Sequence, residues 1–550
     1  MIYSVRNVMV ISVLVAQSYS FVVAQEERPD FWIAEGALGV VATGDESSAD
    51  AGIGILKDGG NAVDAAVASL LVLTVTDTEN FCFGGEIPII VYDAKRGVVE
   101  VLSGQGAAPR LATLKYFKKK GEGSVDGPAV PGALDACLTA LERYGTLNFA
   151  EVTKPALRIL DQHKEPWHAD MAKTIRRLIE AEKGSPHDRR RGLRLVADYF
   201  YRGPIARELD VWSREHDELL RYTDLATHAT RIEDPVLVEY RGYTVYKCGP
   251  WTQGPCLLQG LRLLESFDLK ALGHNSPGYI HVVIEAMKLA LADRDTYYAD
   301  PLFEDVPLKA LLSENYANIR QPLIDIKRAS LVHRPGDPRA GKALLKKNQT
   351  SRGKSGQVKD TTTCLASDRW GNVVAATPSG WGGKLAGDTG IVLGTRLKSF
   401  NVWKNHPNVI EPGKRPRITL TPTLVMKDDK PVLAISVAGG DKQDLATMNL
   451  LLNYIEFGLT PAESIVAPRF GTDHLVGSFQ QPSPKLGSLY LYSAVGNQTM
   501  DALKARGHLI EIVDPEVLPY GRSCVLSIDP KSGLMQVAGD PTADHHARGF

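Results

Sequence analysis

The sequence predicts a mixed α+β fold made of helices and antiparallel hairpins. Three patterns indicate this class. Residues 361–377 contain two apolar, strand-like runs that are joined by a turn at Gly371-Asn372. Residues 59–102 are typical of a buried helix, a glycine-containing loop and a second hairpin. Residues 431–445 are typical of a strand, a Gly-Gly turn and a helix start.

The composition is that of a soluble globular protein. The 550 residues are 44% hydrophobic and 23% charged, with a formal net charge of -1. This balance excludes a disordered chain and gives no indication of a nucleic-acid-binding protein. The six cysteines show no metal-ligand spacing, so no metal site is predicted. Cys248 and Cys256 could form a disulfide, although the fold does not require one.

The N-terminus predicts export. Arg6 precedes an apolar stretch over residues 8–16, and a second short apolar group ends at Val22-Val23-Ala24. The stretch is too short to span a membrane, and the small residues suit signal peptidase. Residues 1–24 are therefore predicted to be a signal peptide, and the mature protein to be secreted or periplasmic without stable membrane association. An uncleaved signal anchor is the alternative.

The first half of the chain predicts several further elements. Gly59-Gly60-Asn61 forms a turn and helix cap before a helix that is dense in small and apolar residues from Ala62 to Leu71. The remaining predictions are strands 87–92 and 98–102, a helix bracketed by Pro131 and Gly145, a helical region over 151–232, a strand over 236–245, and helices over 257–264 and 279–295. Asp293, Asp295 and Asp300 are interpreted as helix-end and salt-bridge residues rather than as a catalytic pair of carboxylates.

Thr361 is the first candidate for chemistry. The segment before it, residues 339–360, is basic and rich in Gly, Ser and Lys, which predicts a flexible, cleavable stretch. If the chain is cut there, the new α-amino group can serve as the base that activates the hydroxyl of the first residue. The alternative is that the threonine run is simply a good strand former.

The Gly439-Gly440 turn is the second candidate. It lies between a predicted strand and a predicted helix, so its backbone N–H groups could bind an oxyanion. A closely packed turn is the alternative.

Together these residues resemble the gamma-glutamyltranspeptidase family of N-terminal nucleophile hydrolases, which includes cephalosporin acylases and related amidases. The likeness covers nearly the whole mature chain. It depends on the order and spacing of Gly59-Gly60-Asn61-Ala62-Val63-Asp64-Ala65-Ala66, Gly84-Gly85, Val91-Tyr92-Asp93, Ala107-Ala108-Pro109, Val130-Pro131-Gly132, Tyr144-Gly145-Thr146-Leu147, Gly249-Pro250 with Gln253-Gly254, Arg415-Pro416, Thr421-Pro422-Thr423, Gly439-Gly440 and Ala467-Pro468-Arg469-Phe470.

The resemblance implies a four-layer αββα sandwich and a precursor that cuts itself. The family's nucleophile stands ten residues before the Gly of a Gly-Asn turn, which selects Thr361 and implies cleavage between Asp360 and Thr361. A large chain, 25–360, and a small catalytic chain, 361–550, would form a heterodimer. The family's second hydroxyl residue corresponds to Ser379, and its oxyanion glycines correspond to Gly439 and Gly440. No metal or organic cofactor is implied. The implied partners are an amide substrate and water or an amine acceptor.

The family's substrate-reading positions are mostly different here. The arginine that binds the substrate α-carboxylate corresponds to Gln105, and the acidic residue that binds the α-amino group corresponds to Ser399. A serine pair corresponds to Ile418 and Thr419, and an asparagine corresponds to Trp381. Replacing a bidentate arginine by a neutral amide removes a charge-assisted pair. Weak activity on glutathione is therefore expected.

A different acyl group is expected in its place. Arg396 and Lys398 are basic neighbours of Ser399, and they could bind an acyl carboxylate if their side chains face the pocket.

Two other functions remain open. The fold could be kept by an uncleaved pseudoenzyme that serves as a binding or structural protein. A cysteine hydrolase could use Cys364, although strand alternation puts Cys364 on the opposite face from Thr361. His545-His546 has no spaced partners, so we interpret it as a surface tail rather than a metal site.

Overall fold

The computed structural model describes residues 30–121, 125–345, 361–380, 382–479, 481–514 and 521–550. The predicted signal peptide, Asp360 and Trp381 lie outside these ranges. The strands are β1 (Ile33–Gly36), β2 (Gly39–Thr43), β3 (Ile87–Asp93), β4 (Val98–Gly104), β5 (Arg231–Glu233), β6 (Val236–Tyr240), β7 (Tyr243–Lys247), β8 (Cys364–Asp368), β9 (Val373–Ala376), β10 (Thr423–Lys427), β11 (Lys430–Ala438), β12 (Phe470–Gly471), β13 (Ser488–Tyr492), β14 (Leu509–Val513), β15 (Arg522–Ile528), β16 (Met535–Gly539) and β17 (His546–Gly549).

The helices occur in several runs separated by strands. They are α1 (Glu46–Lys57), α2 (Ala62–Thr76), α3 (Leu114–Lys120), α4 (Ala133–Tyr144), α5 (Phe149–Leu160), α6 (His168–Glu182), α7 (Arg189–Tyr201), α8 (Pro204–Glu215), α9 (Tyr222–Ala226), α10 (Pro255–Leu264), α11 (Leu269–Leu272), α12 (Pro277–Tyr297), α13 (Leu308–Leu311), α14 (Glu314–Arg320), α15 (Gln443–Phe457), α16 (Pro461–Val466) and α17 (Asn497–Ala505). No described helix is long and apolar enough to cross a membrane.

Two seven-stranded antiparallel sheets form the centre of the molecule. The first has the order β17-β2-β8-β9-β3-β4-β5, and the second has the order β1-β16-β15-β11-β10-β7-β6. A smaller three-stranded sheet, β12-β13-β14, stands apart from them. Both large sheets contain strands from both sides of Thr361, since β2 pairs with β17 and with β8, and β1 pairs with β16.

Strand alternation creates four layers. In β2, Val40 and Ala42 lie in the core between the two sheets, whereas Val41 packs under the helices on the outer face. In the second sheet, Ala434 of β11 lies in the inter-sheet core, and Leu433 packs against the helices on its own outer face. The predicted α+β, four-layer αββα sandwich is therefore confirmed.

Helix α2 shows how local sequence positions the first sheet. Asn61 caps it by accepting hydrogen bonds from the N–H groups of Val63 and Asp64, and the Asp64 carboxylate accepts one from the Asn61 N–H. The Asp64 carboxylate also accepts from the N–H of Thr146, which ties α2 to the turn before α5. Nearly every residue of α2 is buried, as the small and apolar composition predicts.

The predicted strand over 236–245 is wrong in one respect. It is a hairpin of β6 and β7, because Arg241 and Gly242 take positive φ values of 53° and 77° and so make a tight turn.

The salt-bridge interpretation of the three aspartates is supported by ion pairs of Asp293 with Arg320, Asp295 with Arg294 and Asp300 with Arg415. All six cysteines are free and buried, so Cys248 and Cys256 are not bridged.

The predicted flexible basic segment is described only in part. Residues 339–345 form turns, in which Arg339 Nη1 lies 2.6 Å from Asp305 Oδ2. Its remaining residues, 346–360, lie outside the described ranges.

Candidate active site

Thr361 lies just before β8 and is fully buried. Its N–H donates to the carbonyl of Asn80 over 3.2 Å, and the N–H of Gly380 donates to the same carbonyl over 3.1 Å. The next residue, Thr362, donates its N–H to the carbonyl of Pro378. These bonds bring Thr361 beside the turn that carries Ser379, as the resemblance implies for a nucleophile and its hydroxyl partner.

The backbone of Thr361 is strained. Its φ is +85°, a conformation that β-branched residues rarely adopt because Cβ approaches the carbonyl oxygen of the preceding residue. Such strain costs about 1–3 kcal/mol and is found mainly at functional positions. Arg522 Nη2 helps to hold this conformation by donating to the Thr361 carbonyl over 2.9 Å.

Ser379 faces a buried cation. Its hydroxyl oxygen accepts a hydrogen bond from Arg396 Nη2 over 2.6 Å, because a guanidinium group can only donate. The backbone of Ser379 pairs with that of Glu86 in both directions, at 2.8 and 2.9 Å. Arg396 Nη1 also lies 3.4 Å from the Ser399 hydroxyl. Arg396, Ser399 and Ser379, predicted as separate site residues, are thus brought into one cluster.

Sequence reasoning missed Glu86, which belongs to this cluster. The Arg396 Nε donates to Glu86 Oε1 over 2.5 Å, and both side chains are buried. A lone acidic residue directly before the apolar strand β3 was the signal that could have revealed it. The other basic candidate, Lys398, is partly exposed and lies 3.4 Å from Asp126.

The Gly439-Gly440 turn has the geometry of an anion-binding loop. Gly439 and Gly440 take φ values of +146° and +58° at the end of β11. Among the residues that the structure describes, neither glycine donates its N–H in a hydrogen bond. A helix follows at once, since α15 begins at Gln443. Free N–H groups at a helix start can hold a developing negative charge.

Gln443 connects this turn to Thr361, and it too was missed. Its side-chain nitrogen donates to the carbonyls of Val437 and Thr419, over 3.0 and 2.9 Å. The side-chain oxygen then faces the Thr361 hydroxyl at 3.5 Å. No sequence signal distinguishes Gln443 from any other polar residue at a helix start.

Gln105 and Thr419, two further predicted substrate-binding residues, are buried. Gln105 donates its amide to the carbonyl of Pro416 over 2.7 Å, while its side-chain oxygen has no partner among the described residues. The Thr419 hydroxyl is likewise buried without a partner within the described ranges. Trp381 and the predicted cleavage residue Asp360 lie outside them.

The interpretation of His545-His546 as a surface tail is wrong. Both side chains are buried, and His545 Nδ1 lies 3.4 Å from the Thr363 hydroxyl and 3.7 Å from Cys524 Sγ. Burial lowers the pKa of His545 to about 4 and favours the neutral imidazole. The C-terminal segment is buried because β17 pairs with β2 at the edge of the first sheet.

Cys364 faces away from the site. Its thiol lies 3.8 Å from the carbonyl of Ala66 in α2, and burial raises its pKa well above the usual range for a thiol. A thiol in such surroundings resists forming the thiolate that a nucleophile needs. The geometry therefore opposes a cysteine hydrolase.

One group of potential metal ligands occurs away from Thr361. The buried side chains of His281, Glu285 and His508 bring one ligand atom each within 4.8 Å of the others. Lys288 Nζ and Arg334 Nη2, however, already hold the two carboxylate oxygens of Glu285, at 2.8 and 3.0 Å. Two cations at the carboxylate disfavour a third, so we interpret the group as an internal ion-pair network.

Asp77 supports the backbone around Thr361 indirectly. Its carboxylate accepts from Asn80 Nδ2 over 2.6 Å, and Asn80 Oδ1 accepts from Arg522. Burial of the carboxyl group is the largest influence and raises the pKa of Asp77 to about 6, although the Asn80 bond opposes the shift.

This shift predicts a pH-dependent stability. Between about pH 4 and pH 6 the folded protein keeps the Asp77 proton that the unfolded chain releases, so the free energy of unfolding should fall as pH rises through this window, by about 2 kcal/mol. Asp77→Asn should remove that decline. Urea unfolding of both proteins between pH 4 and pH 7 measures it, and parallel curves for the two proteins would contradict the prediction.

The comparisons with known proteins agree with this geometry. The family described as Gamma-glutamyltranspeptidase matches residues 48–177 and 161–550. The glutathione hydrolase proenzyme of Escherichia coli (strain K12) is 31% identical over 89% of this chain and 91% of its own. Acylase ACY 1 proenzyme of Pseudomonas sp. (strain SE83) is 28% identical over 88% of each chain.

A solved structure shares the whole fold. The crystal structure of cephalosporin acylase from Bacillus halodurans has a TM-score of 0.79 and 27% identity, and the match covers 98% of this chain and 99% of that chain. Since the family matches most of the sequence and the fold agrees throughout, the chain belongs to the gamma-glutamyltranspeptidase family.

Proposed function

We propose that this protein is a self-processing N-terminal threonine hydrolase or acyltransferase that cleaves an amide through an acyl-enzyme on Thr361. A cut between Asp360 and Thr361 would separate a large chain, 25–360, from a small chain, 361–550, which stay together as a heterodimer. The positive φ of Thr361 is the observation that carries the proposal.

The strain at Thr361 favours the cut for a physical reason. A positive φ brings the Thr361 side chain toward the carbonyl group of the preceding residue, which is the group that its hydroxyl must attack. After cleavage the residue has no preceding carbonyl, so the steric cost disappears. The backbone conformation of Thr361 thus favours attack on the preceding carbonyl, and cleavage removes the steric strain.

Self-processing then has two steps. The Thr361 hydroxyl adds to the Asp360 carbonyl, and the C–N bond breaks as the nitrogen takes a proton, which leaves an ester between the two residues. Water hydrolyses this ester to give the Asp360 carboxylate and restore the Thr361 hydroxyl. The free α-amino group of Thr361 is the second product.

Amide hydrolysis reuses the same hydroxyl. The α-amino group accepts the Thr361 hydroxyl proton as the oxygen attacks the substrate carbonyl, and the N–H groups of Gly439 and Gly440 stabilise the oxyanion. Expulsion of the amine leaves an acyl-enzyme, which water or an amine acceptor resolves. The Ser379 hydroxyl, which accepts its hydrogen bond from Arg396, can donate its proton to Thr361 Oγ1.

The substrate class follows from relatives named as glutathione hydrolases and acylases. A γ-glutamyl or related acyl amide is therefore proposed, with weak activity on glutathione because neutral Gln105 cannot form a bidentate ion pair with an α-carboxylate. Export to the periplasm or outside the cell, directed by residues 1–24, belongs to the same proposal.

Mass spectrometry of the purified protein tests the assignment. We expect two chains on a denaturing gel and a small chain whose N-terminal residue is Thr361. A small chain that begins at any other residue would contradict the nucleophile. One intact chain would instead favour the uncleaved pseudoenzyme.

A further inference from the structure

The buried ion pair of Glu86 and Arg396 is linked to the proposed nucleophile through Ser379 and its neighbour Gly380. Only 3% of the Arg396 side chain and 4% of the Glu86 side chain is exposed, so solvent does not screen the two charges. Arg396 also donates to the Ser379 hydroxyl, and the residue after Ser379 shares the Asn80 carbonyl with Thr361. The pair therefore borders the space beside Thr361.

Phe479 connects the pair to the proposed oxyanion loop. The Arg396 guanidinium lies 5.8 Å from the centre of the Phe479 ring. A methyl group at Gly440 would lie 3.6 Å from the same ring. Contacts thus run from the pair through Phe479 to Gly440, and we infer that an acyl group whose carbonyl reaches Thr361 lies beside them.

The charge of Arg396 is already balanced by the protein. A substrate carboxylate would have to displace Glu86, which would leave a buried carboxylate without its cation, or bind beside Glu86 and be repelled by it. Either route costs more than binding a neutral group of the same shape. The expectation that Arg396 binds an acyl carboxylate therefore needs revision.

Neutral hydrogen-bonding groups are present instead. The Gln105 side-chain oxygen and the Thr419 hydroxyl are buried, and the described residues offer neither of them a partner. Thr419 is connected to the nucleophile, because its carbonyl accepts from Gln443, whose side chain faces Thr361. An amide or hydroxyl group on a substrate could satisfy such atoms without bringing a charge into the pocket.

We propose that the acyl group accepted by Thr361 is uncharged and polar, such as one ending in a carboxamide, and that Glu86 excludes acyl groups ending in a carboxylate. This inference rests on the proposed amide hydrolysis by Thr361. It deepens that function by assigning Glu86 as a specificity-determining residue.

Three anilides test the proposal, since they differ only at the far end of the acyl group. Glutaryl-anilide carries a carboxylate, glutaramoyl-anilide carries the isosteric carboxamide, and γ-glutamyl-anilide carries the amino acid group. The wild-type protein should prefer glutaramoyl-anilide over glutaryl-anilide by about tenfold or more in kcat/KM, because the carboxylate meets an occupied arginine. Glu86→Gln should free Arg396 and shift this ratio toward glutaryl-anilide by about tenfold or more.

Two control variants distinguish the change in substrate preference caused by freeing Arg396 from a general disturbance of the fold. The double variant Glu86→Gln/Arg396→Met lacks both charges of the pair, so it should keep the preference for glutaramoyl-anilide. Glu208→Gln removes the partner of Arg177 in an ion pair of 2.6 Å on the outer helices, and its ratio should equal that of the wild type. Each variant is first checked for self-cleavage on a gel.

The outcomes separate the two proposals. A self-cleaved wild-type protein that prefers glutaryl-anilide or γ-glutamyl-anilide, or a Glu86→Gln protein whose ratio does not move, overturns the inference and leaves the proposed function standing. A self-cleaved protein that hydrolyses none of the three also overturns it. A protein that neither cuts itself nor hydrolyses any anilide overturns both.

Discussion

Thr361→Ala is expected to remain one uncut chain and to lose amide hydrolysis by about 10⁴-fold or more, because it lacks the only group assigned to attack either carbonyl. A Thr361→Ser protein keeps a hydroxyl and should still cut itself, although more slowly. Denaturing gels follow the cut, and release of aniline from glutaramoyl-anilide follows the hydrolysis.

The neighbouring threonine provides the matched control. Thr362 is buried next to Thr361 and, among the described residues, its hydroxyl acts only on the Asp77 carboxylate, so Thr362→Val, which keeps the size of the side chain, should still fold. We expect this variant to cut itself and to hydrolyse the anilide at a rate near that of the wild type. An active, cut Thr361→Ala protein would overturn the assignment of the nucleophile.

Gly439→Ala is expected to lower kcat by about 10²–10³-fold, the usual cost of losing one oxyanion donor. A φ of +146° is closed to residues with a Cβ, and the new methyl group would also lie 3.3 Å from the Cα of Gly521. The peptide must rotate to relieve both conflicts, so the N–H of Gly440 would turn away from the oxyanion. Steady-state kinetics at saturating anilide measures the loss.

A substitution at a remote glycine with a similar backbone conformation serves as a control, because it introduces backbone strain away from the proposed site. Gly121 has a φ of +120° at the end of α3, and a methyl group there would meet no atom of the described residues within 4 Å. Gly121→Ala should lower the unfolding temperature without changing kcat, whereas Gly439→Ala should lower both. Equal kcat values for the two variants would contradict the oxyanion role.

Much of the fold could be predicted because its elements are encoded locally. Asn61 caps α2 through residues two and three positions away, and the apolar runs on either side of Gly371 predict the β8–β9 hairpin. The long strand predicted over 236–245 failed for a local reason too. Both flanks of Arg241-Gly242 are strand-like, so the turn left only a weak signal.

The site was harder to predict, since its partners come from distant parts of the chain. Thr361, Ser379 and the glycine turn follow from motif spacing, but the contacts of Glu86 with Arg396 and of Gln443 with Thr361 depend on tertiary packing. The same limit explains His545, which pattern alone assigns to a tail. Its burial arises from the pairing of β17 with β2, and no local sequence feature reports that pairing.

Because both sheets contain strands from both sides of Thr361, self-cleavage would change how the protein folds. Five strand pairings join the parts on either side of Thr361, namely β17–β2, β2–β8, β9–β3, β1–β16 and β10–β7. Before the cut, these pairings form within one molecule, whereas a cut protein that unfolds must find a second molecule to rebuild them. The proposed cleavage would therefore turn a concentration-independent refolding reaction into a bimolecular one, and the lifetime of the cleaved protein would be governed by how slowly it first unfolds.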